Sequence, residues 1–229
     1  MKKKIFYTEA AYIVGLLLLA LGTALMERAD FGMSMVVAPA YLLHLKLSPV
    51  WPVFTFGMAE YVFQAVLLAL MCLVLRSFRP GWLFSFATAV IYGLLLDTVI
   101  YMVGQFPAPT MVGRCVCYVL GLVICAAGVS MLFHTYIAPE VYELCVKTLS
   151  ERYGWDIHRT KTVYDCASCL LGVILSFAFF GFGVFEGVKL GTILCALVNG
   201  ATIGVCSRFL EKHFDFVDAK PWRPAFERQ

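Results

Sequence analysis

Charged side chains are scarce in this sequence. Asp, Glu, Lys and Arg make up 14% of its 229 residues, whereas a soluble domain of ordinary composition carries about 25% charged residues. Hydrophobic residues account for 61% of the chain, which is more apolar surface than a soluble core needs. These proportions exclude an ordinary soluble protein and predict one integral membrane domain, residues 1–229, without an appended soluble domain.

Signatures of catalysis are absent as well. The sequence has no His-Glu-x-x-His zinc motif, no Gly-x-Ser-x-Gly elbow and no phosphate-binding loop. Cys115-x-Cys117 and Cys166-x-x-Cys169 have the spacing of metal ligands, but neither is accompanied by a second pair at zinc-site spacing. We predict a protein that is not an enzyme and uses no cofactor or metal. The net charge is only +3, and no nucleic-acid partner is expected.

Six apolar runs are long enough to cross a bilayer, whose core of about 30 Å needs roughly 20 helical residues. The runs cover roughly residues 7–26, 54–74, 82–103, 111–133, 163–182 and 188–210. The first run also resembles a secretory signal that ends at Gly22-Thr23-Ala24, but a later span matches it in sequence and cannot be a signal. The predicted fold class is therefore an all-α membrane protein with six transmembrane helices.

The distribution of basic residues predicts the orientation of these spans. If the N-terminus is inside, the outer segments hold only four of the Lys and Arg residues, and all the others lie on the inner side. The four outer ones are Arg28, Lys46, Arg114 and Lys189. By the positive-inside rule both termini are expected to be cytoplasmic, including a C-terminal tail over residues 211–229.

Two connecting stretches, residues 32–47 and 135–153, are too long for plain loops. The second is predicted to be a short helix, because Pro139 suits a first turn, Glu140 and Glu143 complement its positive end and Lys147 lies near its negative end. Two interpretations remain open for this helix. It lies flat on the inner membrane surface, or it is a re-entrant half-helix shielded from lipid by protein.

The two halves of the chain, about residues 7–104 and 111–210, form an internal repeat. The matches, in order, are Tyr12-x-x-Gly15-Leu16-x-x-x-Ala20-x-Gly22 with Tyr118-x-x-Gly121-Leu122-x-x-x-Ala126-x-Gly128, Val37-Ala38-Pro39 with Ile137-Ala138-Pro139, and Ala89-x-x-x-Gly93 with Ala196-x-x-x-Gly200. Because each half holds three spans, the second half enters the membrane in the opposite sense. We predict a 3+3 inverted repeat, each repeat with an additional short connecting or re-entrant helix and a substrate site between the repeats. The alternative is that duplication built only a stable bundle.

Small residues on the third and sixth spans predict close helix packing. Ala89, Gly93 and Asp97 are spaced four apart, which places them on one helix face that we expect to meet the opposite repeat. Gly200 and Gly204 are the corresponding packing residues on the sixth span.

Acidic residues within the spans are the candidate site, since an ionised carboxylate in hydrocarbon is costly and usually functional. No Lys or Arg lies comparably deep in sequence, the nearest being Arg114 at the end of the fourth span. The expected partner of these carboxylates is therefore a proton, a metal cation or a cationic group of the substrate. The predicted substrate- or ion-binding residues are Asp97, Glu60, Asp165, Gln64, Tyr92 and Asn199.

The chain also resembles a bacterial membrane-protein family. Residues Ala29-Asp30-Phe31-Gly32-Met33-Ser34, the later Phe54-Thr55-Phe56-Gly57 and the stretch from Gly191 to Gly200 are similar to YczE/YyaS/YitT-type proteins. The resemblance implies a small multipass protein of the bacterial cytoplasmic (inner) membrane, and it implies no substrate.

These observations favour a secondary transporter of a small solute, either cationic or proton-coupled. Its expected partners are the lipid bilayer, a small-molecule or ion substrate and, in one arrangement, a second copy of the chain as a homodimer. Two alternatives remain. One is the substrate-binding subunit of a vitamin-type importer, which the small-residue pair Ala20-x-x-x-Ala24 would suit. The other is a membrane scaffold or accessory protein that does not transport.

Overall fold

The structure is a computed structural model, and it describes residues 3–220 apart from the side chains of residues 157 and 158. These residues form eight helices and one short parallel ribbon of two strands. The elements in chain order are β1 Lys4–Tyr7, α1 Thr8–Ala29, α2 Ala38–Leu47, α3 Phe56–Leu75, α4 Trp82–Gly104, α5 Met111–Phe133, α6 Val141–Tyr153, α7 Ile157–Phe180, α8 Leu190–His213 and β2 Phe214–Val217.

Six of the helices are long and apolar enough to cross a membrane, namely α1, α3, α4, α5, α7 and α8. The prediction of six spans is therefore confirmed, with the boundaries shifted by a few residues. Exposed apolar side chains on the spans, such as Val62, Val66 and Leu73 along one side of α3, would contact lipid in a bilayer. Helices α2 and α6, with 10 and 13 residues, are too short to cross.

Glycines allow α1 and α5 to cross in close contact. A Cβ atom on Gly22 would lie 2.7 Å from the carbonyl oxygen of Gly121, and one on Gly15 would lie 3.1 Å from that of Gly128. The two helices run antiparallel, because the earlier glycine of α1 meets the later glycine of α5. Side chains larger than hydrogen would separate the backbones, so the crossing depends on glycine at both contact points.

The remaining helices pack around this central pair. Helix α4 packs against α1 and α3, and α8 packs against α5 and α7. Helix α2 lies between α3 and α7, whereas α6 contacts α3, α4 and α7. Strands β1 and β2 pair in parallel, with Lys4 opposite Phe214, so the start of α1 and the end of α8 lie on the same side of the bundle.

Ion pairs tie three spans together at the other end of α1. Asp30, just after α1, lies 2.8 Å from Nη2 of Arg114 on α5 and 2.5 Å from Nζ of Lys189, which precedes α8. Two of the basic residues predicted on the outer side thus share one carboxylate. Of the basic residues predicted on the inner side, Lys2, Arg223 and Arg228 lie outside the described residues, as does the tail beyond residue 220.

Candidate functional site

A small cavity lies at the centre of the bundle. Its volume of about 40 Å³ is room for a few water molecules, since a buried water needs roughly 10–15 Å³ by the same measure. Helices from both halves of the chain line it. Tyr92 on α4 and Asn199 on α8, predicted from equivalent repeat positions, both lie on its wall. The hydroxyl of Tyr92 also forms a 2.9 Å hydrogen bond with Thr23 Oγ1 on α1.

A group of buried polar residues, four of them acidic, borders this cavity where α3, α6 and α7 meet. We call it the acidic cluster. It comprises Glu60, Gln64, Glu140, Tyr142, Glu143, Lys161 and Asp165. Glu60 is 0% exposed and Glu140 is 2% exposed. Four carboxyl groups therefore face one ammonium group in the protein interior.

Gln64 joins two of these carboxyl groups. Its Oε1 accepts a hydrogen bond from the backbone N–H of Val141 at 3.0 Å. Because that N–H can only donate, the amide orientation of Gln64 is fixed and its NH2 group faces the acids. Nε2 donates to Glu140 Oε2 at 2.8 Å and approaches Glu60 Oε2 at 3.5 Å. Both carboxyl groups thus lie against one amide nitrogen.

The outer oxygens of Glu60 and Glu140 lack hydrogen-bond donors. Tyr142 donates its hydroxyl to Glu60 Oε2 at 2.9 Å, the same oxygen that Gln64 approaches. Within the described part of the chain, Oε1 of Glu60 and Oε1 of Glu140 are buried without any hydrogen-bond partner. An ionised carboxylate left in this way carries a desolvation cost of several kcal/mol. This geometry therefore favours binding of a proton or cation.

Lys161 is the one basic member of the acidic cluster. Its Nζ lies 2.9 Å from Asp165 Oδ1, one turn along α7, and 3.8 Å from Glu143 Oε1 on α6. The expectation that no Lys or Arg lies as deep as the acids was wrong, since the Lys161 side chain is only 12% exposed. The sequence signal was the i, i+4 spacing of Lys161 and Asp165.

The start of α6 is buried in protein, which brings Glu140 and Glu143 into the site. Thr88 on α4 donates to the carbonyl oxygen of Ala138 at 2.9 Å and holds the segment just before the helix. Val141 and Tyr142 are buried as well, whereas residues 151–153 at the end of α6 are exposed. Helix α6 therefore points its N-terminus into the bundle and does not lie flat on a surface along its whole length.

Asp97 is a residue of α4. Its carboxylate lies apart from the acidic cluster, next to the N-terminus of α3. Its two oxygens accept hydrogen bonds from the hydroxyl of Thr55 at 2.6 Å and from the backbone N–H of Gly57 at 2.8 Å. These contacts satisfy hydrogen-bonding groups that would otherwise be free at the start of a helix. They also place a carboxylate at the positive end of the helix dipole, which is stabilising. Such contacts support a structural role, and the predicted role in ion binding stays a prediction.

The variant Asp97→Ala is expected to destabilise the protein by about 0.5–2 kcal/mol, the usual cost of losing a helix cap. Thermal unfolding would measure this loss. Asp97→Asn keeps an acceptor for the Gly57 N–H and should retain full transport per folded molecule. Loss of transport in Asp97→Asn at unchanged stability would instead support the ion-binding role predicted from sequence.

The predicted packing glycines behave differently from one another. A Cβ on Gly93 would lie 2.7 Å from the carbonyl oxygen of Gly57, so Gly93 packs α4 against α3 in its own half. The expectation that this face meets the opposite repeat was wrong. Among the described residues, nothing lies within 4 Å of such a Cβ on Gly200, and Gly204 has only the Arg208 side chain at 3.9 Å. Helix packing at these two positions is not found among the described residues.

Burial raises the pKa of Glu140 well above its usual 4.5, and the carboxyl groups of Glu143 and Glu60 raise it further. The folded protein therefore keeps this proton at pH values where the unfolded chain has lost it. The resulting stabilisation is present below about pH 4.5 and disappears as the pH rises from there through the raised pKa.

This loss should appear as a falling unfolding temperature when the protein in detergent is titrated upward from about pH 4.5. Glu140→Gln cannot ionise and should flatten the dependence. Glu151→Gln is the matched control, because Glu151 lies exposed on the same helix, and it should keep the wild-type slope. If the unfolding temperature of Glu140→Gln depends on pH as steeply as that of the wild type, the raised pKa of Glu140 is not the cause of the dependence.

The structure thus brings Glu60, Gln64 and Asp165 together in the acidic cluster and places Tyr92 and Asn199 at the adjoining cavity. Sequence reasoning missed Lys161, Tyr142 and the inward direction of Glu140 and Glu143. Tyr142 and Glu143 lie on α6 and Glu140 immediately precedes it, and no hydropathy pattern reports how deeply this connecting helix enters the bundle.

Comparison with protein families gives one finding. The profile of a family of unknown function, DUF6198, matches residues 6–208 of the chain. Nothing in this match supports the YczE/YyaS/YitT resemblance drawn from the sequence. Comparisons with curated proteins and with solved structures gave no match.

Proposed function

We propose that this chain, which belongs to the family of unknown function DUF6198, is a secondary transporter that binds a proton or a small cationic solute at the acidic cluster. The observation that carries the proposal is the pair of buried carboxylate oxygens of Glu60 and Glu140 that have no donor. Lys161 supplies one positive charge to four carboxyl groups. The remaining negative charge calls for a bound positive partner.

An inverted repeat would give this site access to both sides of the membrane. The matched sequence motifs pair Gly15 with Gly121 and Gly22 with Gly128. Exchanging the motifs converts the observed contact between Gly15 and Gly128 into the observed contact between Gly121 and Gly22. A crossing that maps onto itself in this way, between antiparallel helices, is what a two-fold axis in the membrane plane produces. This contact supports the 3+3 arrangement.

Other helix contacts follow the same exchange. The packing of α4 on α1 and α3 corresponds to that of α8 on α5 and α7, and the packing of α2 on α3 and α7 corresponds to that of α6 on α7 and α3. Transporters with inverted repeats hold their substrate near the middle of the membrane between the repeats and move one repeat against the other. The central cavity lies between the two halves, which agrees with that plan.

The size of the cavity supports an occluded state. At about 40 Å³ it is much smaller than the pockets of roughly 300–1,000 Å³ that hold drug-sized ligands. A metabolite would enter only after the helices move. A proton or a compact cation fits without such opening.

Liposomes that contain the protein and a trapped pH-sensitive dye would test the proposal. Addition of ammonium, guanidinium, tetramethylammonium or a primary amine on the outside should change the internal pH faster than in protein-free liposomes for at least one of these cations. The same cation should raise the unfolding temperature of the protein in detergent. If no member of this panel alters the internal pH or the unfolding temperature, the proposal of a small cationic substrate is wrong.

We further propose that both termini are cytoplasmic in a bacterial inner membrane. Cysteine replacing Lys46 should then react with an impermeant thiol reagent from outside, and cysteine replacing Arg152 only after the membrane is opened. The existing cysteines would first be changed to alanine or serine. Labelling of both positions from the same side would refute this topology.

A further inference from the structure

We infer that Glu60 and Glu140 bind one proton between them at neutral pH, so that the coupling ion of this protein is H⁺. The proton site itself depends only on the geometry of the acidic cluster, whereas its coupling role depends on the proposed transport function. The two carboxyl groups come from different parts of the chain, α3 and the segment that starts α6.

The hydrogen-bond donors around Glu60 and Glu140 are enough to stabilise one ionised carboxylate but not two. Oε2 of Glu140 receives an N–H of Gln64, and Oε2 of Glu60 receives the Tyr142 hydroxyl. The positive end of α6 adds partial charge beside Glu140. Neither Oε1 has a donor. With one proton on the pair, an O–H group replaces one of the two unpartnered carboxylate oxygens and the net charge falls from two to one.

The chemistry of the neighbours favours a proton over a metal cation. Gln64 and Tyr142 point N–H and O–H hydrogens at the carboxyl groups, whereas a metal cation such as Ca²⁺ is surrounded by six to eight oxygen ligands. Gln64 Oε1 is already engaged by the Val141 N–H. Among the side chains that the structure describes, no three of His, Cys, Asp or Glu are arranged to hold a metal ion.

Other titratable groups around the pair are accounted for separately. Lys161 lies between Asp165 and Glu143 and supplies one positive charge against their two carboxyl groups. The titratable groups that interact electrostatically with the pair are Tyr12 from α1, Tyr92 from α4, Cys125 from α5, Tyr142 and Glu143 from α6, and Lys161 from α7.

Infrared spectroscopy of the wild-type protein in lipid at neutral pH tests the inference without any solute. We expect the carbonyl stretch of a protonated carboxylic acid, which shifts on exchange into D2O. The double variant with Glu60→Gln and Glu140→Gln should lose this band, and the exposed control Glu151→Gln should keep it. A wild-type spectrum without the band, or a double variant that retains it, overturns the inference.

Tyr142→Phe is a second variant that keeps both acids. It removes the hydroxyl donor to Glu60, so the carboxyl band should change frequency while remaining present. An unchanged frequency would place the protonated acid elsewhere and contradict the inference. Because none of these spectra requires transport, a protein that moves no cation could still show the proton, and the two proposals fail separately.

Discussion

Replacing Glu140 by glutamine should reduce cation-driven proton movement in liposomes to the level of protein-free liposomes. Glutamine has nearly the same volume and can still accept a hydrogen bond from Gln64, but it cannot ionise. The acidic cluster would then keep α6 in place without exchanging a proton. The measurement is the rate of internal pH change after addition of the active cation.

Two controls separate this effect from a loss of fold. Glu151→Gln makes the same chemical change at an exposed position of α6 and should transport at the wild-type rate. The Glu140→Gln protein should elute as a single species and unfold cooperatively. Wild-type transport by a correctly folded Glu140→Gln protein would remove Glu140 from the mechanism.

Adding one methyl group at Gly22 should destabilise the protein strongly. In Gly22→Ala, the new Cβ would lie 2.7 Å from both the carbonyl oxygen of Gly121 and the backbone nitrogen of Cys125. Backbone atoms cannot rotate away as side-chain atoms can, so α1 and α5 must separate. Overpacking of this kind typically costs 1–3 kcal/mol, and thermal unfolding together with the yield of folded protein would measure it.

Gly200→Ala is the matched control for this change. It makes the same substitution in the middle of a span, where nothing among the described residues lies within 4 Å of the new atom. Alanine favours a helix over glycine by about 1 kcal/mol, so this variant should be neutral or slightly more stable. Equal losses at Gly22 and Gly200 would show that the crossing of α1 and α5 is not closely packed.

Much of the architecture could be predicted from the sequence, because membrane spans impose long apolar runs. The six spans were predicted within a few residues. Glu60 and Asp165 were identified because acids inside apolar runs are conspicuous, and Gln64 because it lies one turn from Glu60. Tyr92 and Asn199, which line the central cavity, were predicted from the sequence match between the two halves, which requires no knowledge of packing.

The sequence could not reveal how deeply a connecting helix enters the bundle. Helix α6 has mixed polarity, and its acids fit a solvated helix start as well as a buried one. Only the contacts of Glu140 with Gln64 and of Tyr142 with Glu60 distinguish the two. Lys161 was assigned to the inner surface by the positive-inside rule, which counts charges near span ends without regard to their partners.

Asp97 shows the converse difficulty. Its position inside a span predicted a functional carboxylate, yet its hydrogen bonds go to Thr55 and the Gly57 N–H at the start of α3. The N-cap residue and the first turn of α3 supply the partners of an acid on the next helix, α4. Spacing along α4 cannot indicate which neighbour its small residues meet.

The antiparallel crossing of α1 and α5 has a consequence for biosynthesis. Helix α1 leaves the ribosome first, but α5 is made only after the whole first half has been inserted. During that interval the glycine surface of α1 has no permanent partner, and contacts between distant parts of a chain form slowly. The first half of the chain is therefore in the membrane without α5, the main partner of α1, until residues 111–133 have been made and inserted.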